Sequence, residues 1–177
     1  VGRAADGTVV TPVNQVVAPA GRTVELPGLR PQAVAMSPDG SILVTSAKTN
    51  EVVVIDPATG EVRDRVKPAA EEAVPAVDGQ TARNLKPDTK AIESYTGLVF
   101  SPDGRRLVMS NVNGSLKVFS NEGGTITASH TLHLPQAKAP QRAAEIPAGL
   151  AFSTDGSRLY VCGNLSNRLL EIDMALS

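Results

Sequence analysis

At 177 residues the chain is long enough for one domain with an ample core, but only 3% of it is aromatic and Trp is absent. Val, Leu, Ile and Ala must therefore supply that core, which suits stacked sheets better than a helical bundle. A net charge of −1 with no basic run excludes the clustered Lys and Arg of a nucleic-acid face. The single Cys162 excludes an internal disulfide, and no apolar run reaches the ~18 residues of a helical membrane span.

In chain order, residues 1–12 are small and polar with one alternating patch (Thr8-Val9-Val10), which predicts a loosely held arm. Asn14-Gln15-Val16-Val17 and Arg22-Thr23-Val24-Glu25-Leu26 are predicted to pair as a hairpin around Pro19-Ala20-Gly21. That hairpin, within 13–27, precedes the first of three similar units and fills the place of outer strands in a closing sheet.

Each unit is built on a tight corner: Ser37-Pro38-Asp39-Gly40, Ser101-Pro102-Asp103-Gly104 and Ser153-Thr154-Asp155-Gly156. Pro presets φ for the second corner position, Asp accepts from backbone amides ahead of it, and Gly takes the positive φ that closes the turn. Short apolar strands precede the corners (Ala33–Met36, Gly97–Phe100, Gly149–Phe152) and follow them (Ile42–Thr45, Leu107–Ser110, Leu159–Cys162). A Leu falls three residues after each Gly (Leu43, Leu107, Leu159) and a third strand begins twelve or thirteen residues after it. The third strands are Val52–Asp56, Leu116–Ser120 and Leu169–Asp173; in this pattern Cys162 is predicted to be a buried small apolar residue.

After Asp56-Pro57-Ala58-Thr59-Gly60 comes a polar fourth strand, Glu61–Val66, and the second unit continues through Thr125–Thr127 and Thr131–Leu134. Four antiparallel strands per unit, the last most polar, predict an all-β fold of β-propeller blades running from axis to rim. The predicted division is a blade at 28–67, an insertion at 68–93, a blade at 94–135, an insertion at 136–146 and an incomplete blade at 147–177. The first insertion, with Pro68, Pro75 and Pro87, lengthens the repeat interval to 64 residues against 52 for the second. Both insertions lead into a first strand, so they fall on one face of the disc, the predicted binding face.

Three blades are too few to close a ring, since propellers use about four to eight. Either the chain is a piece of a longer protein, or two copies associate, the Arg22–Leu26 strand of one completing the third unit of the other. The start at Val1 rather than Met predicts that something upstream has been removed.

The units resemble the YVTN β-propeller repeat of bacterial surface-layer and YncE-like proteins. The resemblance is carried by Pro147-Ala148-Gly149-Leu150-Ala151-Phe152-Ser153, by Leu159-Tyr160-Val161 and by Val54-Ile55-Asp56 with Thr59-Gly60, and it covers about Pro27 to Asp173. It departs at the Thr-Asn positions of the pattern, which here are Cys162-Gly163. The resemblance implies export to the periplasm or cell surface and a non-catalytic role in which loops and a central funnel meet a protein or small-molecule partner. It also implies an alternative, the N-terminal propeller of a larger metal-dependent phosphoesterase or alkaline phosphatase whose active site lies outside residues 1–177.

No Cys-x-x-Cys, His-Glu-x-x-His, Gly-x-Ser-x-Gly or phosphate-loop pattern occurs, so no catalytic residue, metal site or cofactor is predicted. His130 and His133 are three apart in a strand and point to opposite faces. Asp39, Asp103 and Asp155 recur at corners and are assigned to the turns. The candidate ligand contacts are Arg30, Tyr95 and Glu145, placed just ahead of the inner strands where the funnel opens.

Overall fold

A computed structural model describes residues 1–18, 20–47, 49–70, 89–140 and 142–175; residues 71–88 of the first insertion lie outside these. Among the described residues every regular element is a strand. Three sheets follow the three units. The first runs in the order β4 (Pro31–Met36), β5 (Leu43–Ala47), β6 (Val52–Ile55), β7 (Val62–Val66). The second runs β8 (Glu93–Phe100), β9 (Arg106–Asn111), β10 (Ser115–Glu122), β11 (Thr125–His133), and the third β12 (Pro147–Phe152), β13 (Arg158–Gly163), β14 (Arg168–Asp173). All neighbours within these sheets are antiparallel. The described residues are thus all-β, made of the four-stranded meanders of a β-propeller, with three strands in the third among the described residues.

The corners form as their chemistry dictates, and all three form alike. Ser37 Oγ donates to Asp39 Oδ1 at 2.6 Å and accepts from the Ile42 amide at 3.1 Å, while Asp39 Oδ1 also accepts from the Ser41 amide at 3.0 Å. The Ser101/Asp103 and Ser153/Asp155 corners repeat these bonds, so Thr154 replaces Pro without changing the geometry. The serine hydroxyls, followed by the amide and hydroxyl of the residue after Gly, hold Asp39 and Asp155 down to about 2. Successive corners also touch. A Cβ on Gly104 would lie 3.3 Å from Pro38 Cδ, and one on Gly156 would lie 3.4 Å from Pro102 Cδ, so each proline rests on the next corner's glycine.

Packing between sheets supplies the core. Ala33, Ile42, Val44, Val52 and Val54 of the first sheet meet Leu98, Phe100, Leu107, Met109, Phe119 and Ile126 of the second. The opposite face of the second sheet, Val108, Leu116 and Val118, meets Leu159, Val161 and Met174. Alternation along β10 explains this, because its odd and even residues serve different neighbours. The inner strands come closest where β8 passes β12. A Cβ on Gly97 would stand 2.2 Å from Ser110 Oγ and 2.3 Å from the Ala148 carbonyl oxygen, so glycine is required there. Lys117, fully buried on β10, extends Nζ to the Ala69 carbonyl at 2.9 Å and Thr131 Oγ1 at 3.1 Å.

Several expectations need correction. Val16–Val17 does not pair with 22–26. As β3 it joins β1 (Gly2–Arg3) and β2 (Val9–Val10) in a small sheet, so the arm is held by backbone pairing. Residues 22–26 form no strand. Instead Leu26 packs with Leu29 on Val53, Ile55 and Leu43, covering part of the first sheet's outer face. The two short strands expected within 125–134 are one, β11, accommodated by a bulge opposite Val118/Phe119. Cys162 is exposed rather than buried, because it points away from the second sheet and no described residue covers that face.

Candidate functional site

At the end of the disc where the inner strands begin, three loops converge. The approach to β8 is tied down by the Ile92 amide donating to Asn111 Oδ1 at 3.1 Å and by Asn113 Nδ2 donating to the Lys90 carbonyl at 3.1 Å. The second insertion folds onto the β9–β10 turn, with the Arg142 guanidinium donating to the Val112 carbonyl, and just ahead of it Leu134 N donates to the Gly114 carbonyl. The third loop, 164–167, connects β13 and β14, and its Asn164 amide donates to the Ile146 carbonyl at 3.1 Å.

Tyr95 and Glu145 both engage this third loop. Pairing of β8 with β9 is interrupted between Glu93 and Leu98, and within that bulge Tyr95 adopts φ 54°, a left-handed conformation that costs a bulky residue of order 1 kcal/mol or more. The bulge turns the ring outward: Tyr95 is 53% exposed, and its hydroxyl accepts from Asn164 Nδ2 at 3.0 Å. Glu145, by contrast, is 1% exposed. Burial pulls its pKa upward, but the Ser166 hydroxyl beside it and the amides of Leu165 (2.8 Å) and Ile146 (2.9 Å) outweigh that and hold the carboxyl below its ordinary value. Ser166 Oγ acts there by proximity, without hydrogen-bond geometry. Glu145 thus anchors the loop on which Tyr95 leans. Arg30 is exposed just ahead of β4 and makes no hydrogen bond or ion pair with the described residues.

Sequence reasoning passed over Glu93, at the start of β8. It is 3% exposed, and neither carboxylate oxygen has a hydrogen-bond partner among the described residues. Burial pushes its carboxyl up to about 7, against a smaller downward pull from the nearby Ser46 hydroxyl, which also lacks a bonding geometry. A glutamate opening a strand reads as a solvated terminus; only the packing of the first sheet against the second buries it. Its one sequence signal is its place in the register, opposite Asn111.

The inner strands border an open, largely apolar groove of about 470 Å³ reached by Val34, Met36, Leu98, Phe100, Leu150 and Phe152. At the corner end, Asp39, Ser41, Asp103, Arg105, Asn121 and Glu122 border a cleft of about 870 Å³. His130 is buried, with Nδ1 2.9 Å from Ser129 Oγ, while His133 is exposed, so the two are not brought together. Among the described residues no group of three or more His, Cys, Asp and Glu is gathered where it could hold a metal ion.

Repeated antiparallel meanders packed face to face define a β-propeller fold. No family model and no curated protein matches the chain. Among solved structures it is similar to hydrazine synthase of Kuenenia stuttgartiensis (TM-score 0.58, 21% identity, 90% of this chain and 37% of that one). It is also similar to a putative 6-phosphogluconolactonase from Bacteroides fragilis (0.57, 18%, 84% and 36%). A third likeness is to the β-propeller domain of Myceliophteria thermophila Cps50 (Swd1) (0.58, 16%, 96% and 46%). The chain spans less than half the length of each. The functions named for these proteins share nothing, so the likeness defines the fold and leaves activity open.

Proposed function

We propose that the chain is a non-catalytic binding module, a β-propeller portion of the YVTN type belonging to a bacterial protein exported to the periplasm or cell surface. The observation that carries this reading is Tyr95: an aromatic ring held outward near the start of an inner strand by a left-handed backbone and braced by Asn164. Strain of this kind persists where the surroundings impose it, and an exposed, preorganised aromatic is a common binding anchor. In this reading Tyr95 and Arg30 contact the ligand, and Glu145 fixes the loop that supports Tyr95.

The test compares partners retained from a bacterial periplasmic extract by immobilised wild-type protein and by Tyr95→Ala and Arg30→Ala variants. Loss of specific partners with both variants is expected, with folding confirmed by circular dichroism. Retention of an identical set would refute the site. Phosphomonoester or phosphodiester turnover that scales with protein and copurifies with the folded chain would refute the non-catalytic assignment.

A further inference from the structure

Antiparallel meanders send every connection to one of two ends of the disc, and the charges of the three sheets are divided unequally between those ends. The end where β4, β8 and β12 begin carries Arg30 ahead of β4, Lys67 after β7, Lys90 ahead of β8, Lys138 in the second insertion and Arg168 at the start of β14, all exposed. The side chains of Arg30, Lys67, Lys138 and Arg168 have no hydrogen-bond or ion-pair partner among the described residues. Acidic residues at this end do not offset them at the surface. Glu51 is held by Arg65 at 2.6 Å, while Glu93 and Glu145 are buried, the latter with its charge met by the amides of Leu165 and Ile146. Residues 48 and 71–88, outside the described residues, carry four acidic and three basic side chains, close to balance.

The corner end is the reverse. Asp39, Glu61, Asp103, Glu122 and Asp155 are exposed there, whereas Arg63 is held by Asp56, Arg158 by Asp173, and Arg106 donates to the Met174 carbonyl at 2.8 Å. A net charge of −1 thus conceals a disc with two unlike faces. None of the five cations adjoins another in the chain, so the sequence shows no basic run; the meander brings them to one end.

We propose that the loop end binds an acidic polysaccharide, its carboxylates met by these cations and one of its sugar rings laid on Tyr95. This names the ligand class of the Tyr95 site and rests on that site being a binding surface. The cations stand on all three sheets, from the inner strand (Arg30) to the outermost (Lys67), so a compact anion meets one or two of them and an extended polyanion meets several. Tyr95 selects among polyanions. Its hydroxyl oxygen accepts from Asn164 Nδ2 at 3.0 Å, which leaves the phenolic proton and the Asn164 carbonyl oxygen to bond a ligand. Seating the ring in a lipid surface would strip both of water without replacing their bonds. A sugar ring offers an apolar face to the aromatic ring and hydroxyls to the polar pair.

The experiment titrates the 177-residue chain with oligogalacturonate, which carries one carboxylate per ring, and with its methyl ester, which has the same shape and no charge. The acid form is expected to bind and the ester to fail, and raising NaCl from about 20 to about 200 mM should weaken binding about tenfold. The double variant Lys67→Gln, Lys138→Gln should lose about tenfold in affinity, as should Tyr95→Ala, while Arg105→Gln at the corner end should stay within about twofold. Circular dichroism checks that each variant is folded. Absence of binding at low salt, equal binding of the ester, or an Arg105→Gln loss matching that of the double variant would overturn the proposal. Tighter binding of polyglutamate at matched charge, or of phosphatidylglycerol vesicles, would overturn it in favour of an acidic protein or a membrane. If Tyr95→Ala loses partners from the periplasmic extract while oligogalacturonate does not bind the wild type, the Tyr95 site stands and this ligand class falls.

Discussion

Replacing Glu93 by Gln should make the protein's stability markedly less sensitive to pH. In the folded chain burial holds this carboxyl protonated up to about 7, whereas in the unfolded chain it titrates near 4.5. Between those values the folded state binds the extra proton, so the stability of the wild type falls as pH rises. Below about 4.5 both states are neutral and Glu93 has no effect; above about 7 its full penalty applies. A gap from 4.5 to about 7 corresponds to about 3 kcal/mol at ~1.36 kcal/mol per tenfold. Relaxation of the surroundings around the charged carboxylate reduces this to about 1–3 kcal/mol. Glutamine keeps the shape and cannot ionise. Urea unfolding of both proteins at pH 5, 6, 7 and 8 should show them nearly equal at pH 5, with Glu93→Gln gaining about 1–3 kcal/mol by pH 8. At a typical slope of ~1–3 kcal/mol per molar urea that is a midpoint shift of roughly 1 M. Asp39 and Asp155 titrate near 2, outside this window, and both histidines are present in both proteins. A stability difference that stays constant from pH 5 to pH 8 would refute the reasoning.

Three further outcomes are expected. Ser101→Ala removes a buried hydroxyl that donates to Asp103 and accepts from the Arg106 amide, and should cost about 1–2 kcal/mol in denaturant unfolding, more than Ser153→Ala at the more open third corner. Gly97→Ala drives a methyl group into Ser110 and the Ala148 carbonyl, and should lower the thermal midpoint by the equivalent of about 1–3 kcal/mol or more. At Tyr95, with φ 54°, Tyr95→Gly should leave stability within about 1 kcal/mol, because relief of strain offsets the lost ring; Tyr95→Val should cost about 1–2 kcal/mol more than that. Equal stabilities for the Gly and Val variants would remove the strain argument.

What the sequence by itself determined are the features that depend on neighbours along the chain. Ser, Pro, Asp and Gly within four residues specify a corner, and alternating apolar residues on either side specify which face of each strand is inward. The strand order within each sheet follows because successive strands joined by short turns pair with one another. Tertiary structure decided whatever depends on the next sheet. Glu93 and Glu145 are both acidic residues near the start of an inner strand, yet one is buried with no hydrogen-bond partner among the described residues and the other is buried within a set of amides. Cys162 lies on the face of β13 opposite its core residues Leu159 and Val161 and stays exposed, because burial there requires a blade on that side. Residues 22–26 carry a strand's pattern without forming one, since a strand exists only where a second edge accepts its hydrogen bonds. Local chemistry sets the turn and the face of each strand; desolvation and pairing are properties of two surfaces together, and the second surface lies far away in the sequence.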